Sequence, residues 1–162
     1  MLFENGDRIV FAGDSVTDMG SANPVGEGLF ESLGNGYVRE IENLLTAWYP
    51  ELNIRVTNSG IGGNTSRDLA ARFDRDVVDL KPDWVSICIG INDVWRQFDV
   101  PAIPEAAVMP QEYESNMEEM ILKIKDKIND CKIAGRELIY QRFKFYINFF
   151  TSIIKIRKII KT

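Results

Sequence analysis

A chain of 162 residues with 45% hydrophobic and 27% charged side chains is large enough for one domain with a full core. It contains no histidine, so a zinc site is not expected and no cofactor is called for, although carboxylates remain able to hold magnesium or calcium. The net charge of -5 is uneven: residues 1–130 hold 11 Lys+Arg against 23 Asp+Glu (-12), residues 131–162 hold 8 against 1 (+7).

A basic tail on an acidic body can fold back onto it or meet an anionic surface. No nucleic-acid partner is expected. Cys88 lies in an apolar run and Cys131 lies 43 positions later, a spacing that suggests neither a metal knuckle nor a disulfide framework. Glu4, Asp7 and Arg8 interrupt the place where a signal peptide would be apolar. No run reaches the length of a membrane span, and a cytoplasmic location is the expectation.

In chain order, Arg8 to Ala12 reads as a buried strand ahead of Gly13. Residues 19–33, with Gly20, Pro24, Gly26 and Gly28, read as a loop. Val38, Ile41, Leu45 and Trp48 recur at helical spacing between Tyr37 and Tyr49, and Pro50 stops that helix. Asn53 to Thr57 is a second strand, and Ser59-Gly60-Ile61-Gly62-Gly63 reads as a tight loop. Thr65 and Asp68 resemble a capping box, opening a helix with Leu69, Phe73, Val77 and Leu80 on one face. Trp84 to Ile89 is the most apolar strand. Pro101, Pro104 and Pro110 mark an extended surface segment, and a helix from about Gln111 to Asn129 turns Tyr113, Met117, Ile121, Ile124 and Ile128 inward.

Strand and helix alternate, which implies a parallel sheet with right-handed crossovers. Ligands in such sheets bind at the carboxyl ends of the strands. Three polar or glycine-rich stretches fall there: 13–18, 58–65 and 90–93. A fourth strand is expected near Leu138-Ile139, but the text from there is a string of Ile, Phe, Tyr, Asn and Lys. Ile153, Ile156, Ile159 and Ile160 offer one short stripe. The series stops early and leaves a sheet edge open to the tail or to self-association.

Ser15, at a strand-to-helix turn, is the nucleophile candidate; its bland reading is a helix cap beside Thr17 and Asp18. Gly62 and Gly63 can bring a backbone N–H close to a substrate oxygen, or simply turn the chain. Asn92 can donate to the same oxygen while Asp93 orders the loop; Asn-Asp after a strand is also a common turn signal. Asp14, Asp18 and Asp93 are the acidic side chains near enough to substitute for a missing base, and an ordinary carboxylate is a poor acceptor for a serine proton. Met117 and Met120 read as helix packing. Trp95 lines the pocket mouth or covers the sheet end.

These residues carry a resemblance. Gly13-Asp14-Ser15-Val16-Thr17-Asp18, Asn58 to Thr65 and Gly90-Ile91-Asn92-Asp93 resemble, in order, the first three blocks of the SGNH hydrolase (GDSL lipase/esterase) superfamily, over about residues 5–130. The resemblance implies a three-layer α/β/α sandwich, flavodoxin-like, around a parallel sheet that is incomplete at its C-terminal side. It implies Ser15 as nucleophile, with Ser15 N–H, Gly63 N–H and the Asn92 amide as oxyanion donors, Asp14, Asp18 and Asp93 supporting. The implied substrate is a small acyl or acetyl ester, with an esterified carbohydrate among the options.

The family's Asp-x-x-His block has no counterpart, because the sequence has no histidine. The expected organisation is therefore a partial domain over residues 1–135 and an atypical tail over 136–162, with a frameshift near 136–140 favoured over an evolved terminus. Esterase activity is expected to be weak or lost. The alternative reading is a non-catalytic binder of a small ligand or a protein, and a flavodoxin-like nucleotide binder is more distant.

Overall fold

In a computed structural model, the chain is described over residues 3–98, 103–128 and 131–134. Five strands form one sheet in the order β2-β3-β1-β4-β5: β1 (Arg8–Gly13), β2 (Gly26–Glu27), β3 (Arg55–Gly60), β4 (Trp84–Cys88) and β5 (Lys132–Ala134). β1 pairs parallel with both β3 and β4, and β4 pairs parallel with β5. The helices are α1 (Ser15–Asp18), α2 (Tyr37–Trp48), α3 (Ser66–Asp76), α4 (Ile91–Trp95) and α5 (Pro110–Lys127).

Alternation along β1 builds the layers. Ile9 and Phe11 join Leu33, Val38 and Val56 on the face under α2. Val10 and Ala12 join Leu69, Phe73, Val85, Met120 and Ile124 on the face under α3 and α5. A central strand buried on both faces has to be apolar throughout, which is why β1 reads as a continuous run. The result is the expected three-layer α/β/α sandwich.

Four expectations need correction. The sheet is not wholly parallel: two residues of the loop at 19–33 pair antiparallel with β3. Glu27 holds that edge by accepting from Arg55 Nε at 2.8 Å and Thr57 Oγ1 at 3.0 Å. β3 runs through Ser59 and Gly60, so the glycine there serves no turn. A Cβ on Gly60 would lie 2.3 Å from Asp18 N, so the glycine lets α1 lie against the strand.

The third correction concerns the prolines. Pro110 opens α5 at its first position, where a missing N–H costs nothing, and Pro104–Ala106 is a short 3-10 turn; Pro101 lies outside the described residues. On α5 itself, Met120 is fully buried while Ile121 is only half-buried, so the inward stripe passes through 113, 117, 120 and 124. Fourth, the next parallel strand is β5, earlier than Leu138-Ile139. That pair and the tail at 136–162 lie outside the described residues. Cys131, ahead of β5, packs against the core, and burial pushes its thiol up to about 11.

Candidate active site

The chain leaves β1 toward β3 on one side and β4 on the other, so the strand order reverses at β1. The loops after these strands diverge and open a crevice at their carboxyl ends. Into it come Asp14-Ser15 after β1, Ile61–Thr65 after β3 and Gly90–Asp93 after β4. The three stretches do meet: a Cβ on Gly62 would lie 4.0 Å from Ser15 Cβ, and Asn92 Nδ2 donates to Asn64 O at 2.9 Å.

Ser15 is exposed at the start of α1, and its helix is held by Asp14, whose Oδ1 accepts from Val16 N at 3.0 Å. Ser15 N is the first amide of that helix, so no turn of helix precedes it to accept its hydrogen. Among the described residues neither Ser15 N nor Gly63 N donates to a carbonyl or carboxylate of the chain. Gly63 has φ +80°, which glycine adopts freely. An amide nitrogen carries two hydrogens; Asn64 O takes one of Asn92's and fixes the group, leaving the other for a ligand. The three convergent loops thus each carry an N–H donor, Ser15 N, Gly63 N and Asn92 Nδ2, the donor types that stabilise an oxyanion.

Each of the three carboxylates already accepts from donors of the chain. Asp18 Oδ2 accepts from Gly62 N at 2.9 Å, and its Oδ1 accepts from Ser21 N at 3.0 Å and Ser21 Oγ at 3.1 Å. Asp93, fully buried, accepts from Ser66 N and Ser66 Oγ. Asp14 is committed to its cap. Burial raises the carboxyls of Asp14 and Asp93 above the ordinary carboxylate range, and Asp93 repels Asp14 further. Their hydrogen bonds tie the loops: Asp18 to Gly62 N, and Asp93 to Ser66 at the start of α3.

A raised folded-state pKa means the fold favours the protonated acid, so that group's contribution to stability falls as pH rises through the folded pKa. Asp14→Asn keeps an oxygen to accept from Val16 N and abolishes the buried charge. It is expected to be more stable than the parent at pH 7, with the difference shrinking toward pH 4; urea melts at both pH values measure it.

Sequence reasoning passed over the polar pins beneath the site. Asn58, fully buried on β3, donates to Thr17 O at 2.7 Å and Leu33 O at 2.9 Å, and accepts from Gly60 N at 2.8 Å. Arg72 on α3 donates to Gly13 O at 3.1 Å, Ser59 O at 2.9 Å and Asn64 Oδ1 at 2.8 Å. The signal for Asn58 was a run of polar residues leading into a glycine loop; for Arg72 it was an Arg–Asp pair at i, i+4 behind that loop. Among the described residues no cluster of metal-ligating side chains occurs, and no helix is long and apolar enough to cross a membrane.

An exposed serine where three strand-end loops converge, at the switch point of a mostly parallel sheet, defines a class: an α/β sandwich with its candidate site at the carboxyl ends of the strands. Comparison with known proteins narrows this. The chain belongs to the GDSL-like Lipase/Acylhydrolase family, whose model matches residues 11–151, and so to the SGNH hydrolases, a group of carboxylic-ester hydrolases.

An acetylxylan esterase from Geobacillus stearothermophilus is 54% identical over 125 residues, 77% of this chain and 57% of that protein. A crystal structure of an acetylxylan esterase from that organism matches with a TM-score of 0.75 at 53% identity, covering 79% of this chain and 58% of the other. A catalytic mutant of that esterase, serine to alanine, matches over 98% of this chain and 76% of its own, with a TM-score of 0.79 at 41% identity. The chain thus spans 57% of the length of the curated relative it matches.

Proposed function

We propose that this chain binds acetyl esters of saccharides and carries the nucleophile and oxyanion cradle of a serine acylhydrolase. Ser15 Oγ attacks the acetyl carbonyl; Ser15 N–H, Gly63 N–H and the Asn92 amide take the developing negative charge. The alcohol leaves with a proton, and water then releases acetate from the acyl-serine. The observation that carries the reading is the meeting of three separate loops on unspent donors beside an exposed serine. The acetylxylan esterases similar to this chain support the choice of acyl group and alcohol.

The proton acceptor is the missing part. Without histidine, and with each nearby carboxylate committed to an N–H donor, the 162-residue chain is expected to turn over slowly unless a base is added. Exogenous imidazole supplies one near neutral pH. Acetate release from O-acetylated xylobiose is expected to rise with imidazole above the solution reaction, and Ser15→Ala is expected to remove that increment. An equal increment in Ser15→Ala would sink the reading. Saccharide binding with no such increment would favour the non-catalytic alternative.

A further inference from the structure

Gly62 is a glycine that neither backbone nor packing demands. Its φ lies outside the left-handed region that Gly63 beside it occupies at +80°, so left-handed strain does not call for glycine there. A Cβ on Gly62 would lie 3.4 Å from Asp18 Oδ2 and 4.0 Å from Ser15 Cβ, which are ordinary contact distances. Among the described residues no other heavy atom comes within 4 Å of that point, the chain neighbours aside. Gly60 differs, since a Cβ there would meet the backbone of α1. A methyl on Gly62 would therefore fit between the nucleophile and a carboxylate without a clash, and glycine leaves that flank of Ser15 bare.

The flank is held at a fixed width. Ile61 N donates to Gly13 O at 3.1 Å and Gly62 N to Asp18 Oδ2 at 2.9 Å, so two consecutive amides tie this loop to the ends of β1 and α1. Asp18 Oδ1 in turn accepts from Ser21 N and Ser21 Oγ, which keeps the carboxylate in place. Ser15 and Asp18 stand three residues apart on α1, where neighbours of that spacing share one side. The space beside Ser15 is thus methyl-sized and bounded by groups that are themselves hydrogen-bonded. A pyranose is far too wide for it, whereas the methyl of an acetyl group matches it.

We propose that Gly62 sets the acyl size of this site: its bare Cα, pinned through its amide by Asp18, gives the acyl methyl its place beside Ser15. This rests on the acyl-ester reading above and deepens it by naming the residue that limits the acyl group. Gly62 is a specificity-determining residue, with no part in proton transfer or bond making.

The test measures acid released by the 162-residue protein with imidazole, taking the increment that Ser15→Ala abolishes, for ethyl acetate, ethyl formate and O-acetylated xylobiose. Gly62→Ala is expected to lower the ethyl acetate increment about tenfold, the low end for a methyl-sized mismatch. Ethyl formate, whose acyl group lacks the methyl, is expected to be spared. O-acetylated xylobiose is expected to fall by the same factor as ethyl acetate, because the two share an acyl group and differ in the alcohol. Urea melts of Gly62→Ala are expected to match those of the parent, since the added methyl meets no atom closer than ordinary contact. A destabilised Gly62→Ala would mean that the glycine serves packing, and it overturns the assignment. So does a folded variant with an unchanged acetate increment, or with equal losses for formate and acetate. A loss confined to the xylobiose ester moves Gly62 to the alcohol side and overturns it as well. A parent without a Ser15-dependent increment on any ester overturns the acyl-transfer reading, and this inference with it, so the two failures are told apart by the parent alone.

Discussion

Arg72→Ala is expected to cost the fold about 1–3 kcal/mol, the range for buried groups that lose a hydrogen-bond partner, since Asp76 keeps Arg75 at 2.5 Å and 2.9 Å. The Arg72 side chain is 9% exposed and pairs with Asp76, itself 1% exposed, at 3.2 Å. Burial pulls the guanidinium below its ordinary value and the Asp76 contact opposes that; an arginine stays charged throughout. Its donors also hold Gly13 O ahead of Ser15, Ser59 O at the end of β3, and Asn64 Oδ1 in the second loop.

Truncation would take the guanidinium's donors from Ser59 O and Asn64 Oδ1, while Gly13 O keeps Ile61 N at 3.1 Å; a buried acceptor left unpaired costs about 1–3 kcal/mol if no water replaces the donor. Arg72→Lys keeps a charge for Asp76 and lacks the fork needed to span both strands, so an intermediate loss is expected. The pH behaviour follows from Asp76. Burial alone would raise its carboxyl, but Arg75 and Arg72 more than offset this and leave it below the ordinary value. A depressed folded-state pKa gives stability that is present above the unfolded pKa and lost as pH falls through the folded one. The gap between parent and Arg72→Ala, read from urea melts, is therefore expected to narrow in acid. A gap under about 1 kcal/mol at pH 7 would show that water substitutes for the guanidinium.

The parts of this molecule that sequence reveals are those where local pattern and tertiary role coincide. β1 and β4 are apolar because they are covered on both faces, and the Thr65–Asp68 capping box forms with both of its hydrogen bonds, since a cap is satisfied within one turn. The three polar stretches were placed at strand ends, and they converge there. What escaped were features set by distant partners. Gly60 looks like a turn residue until the approach of Asp18 is known. Gly26–Glu27 is a strand only because β3 lies beside it. Ile121, expected inward, is only half-buried, while Met120 packs as expected; spacing alone does not fix which of two neighbours on α5 faces the core. Asn58 and Arg72 act through carbonyls 13 to 59 positions away, and no local period encodes that.

Asp93→Ala is expected to cost roughly 3 kcal/mol, by leaving a buried donor unpaired and removing a charge-assisted bond. Ser66 is the first residue of α3, so its N–H has no partner within the helix. Both Asp93 carboxylate oxygens lie 3.0 Å from it, and Ser66 Oγ donates to Oδ1. A carboxylate at a helix N-terminus also complements the local positive potential. Asn116 on α5 donates to Ser66 Oγ at 3.0 Å, so the bond joins three elements. Together with Asn92 Nδ2 to Asn64 O it forms the second of two ties between the loops that carry the proposed oxyanion donors. Asp93→Asn keeps one acceptor and turns the other oxygen into a donor facing Ser66, so a smaller loss is expected.

The sign of the pH effect separates this site from the Arg72–Asp76 pair. Burial raises the Asp93 carboxyl, with Ser66 opposing and Asp68 adding repulsion. The parent's stability from this group is therefore greatest below the unfolded value and declines as pH rises through the folded one. The penalty of Asp93→Ala is expected to widen toward acid while that of Arg72→Ala narrows. Parallel melts of both variants between pH 4 and pH 7 would show the crossing trends. Two penalties moving together would mean that Asp93 is ionised at no cost, held by Ser66 and the α3 terminus against its burial.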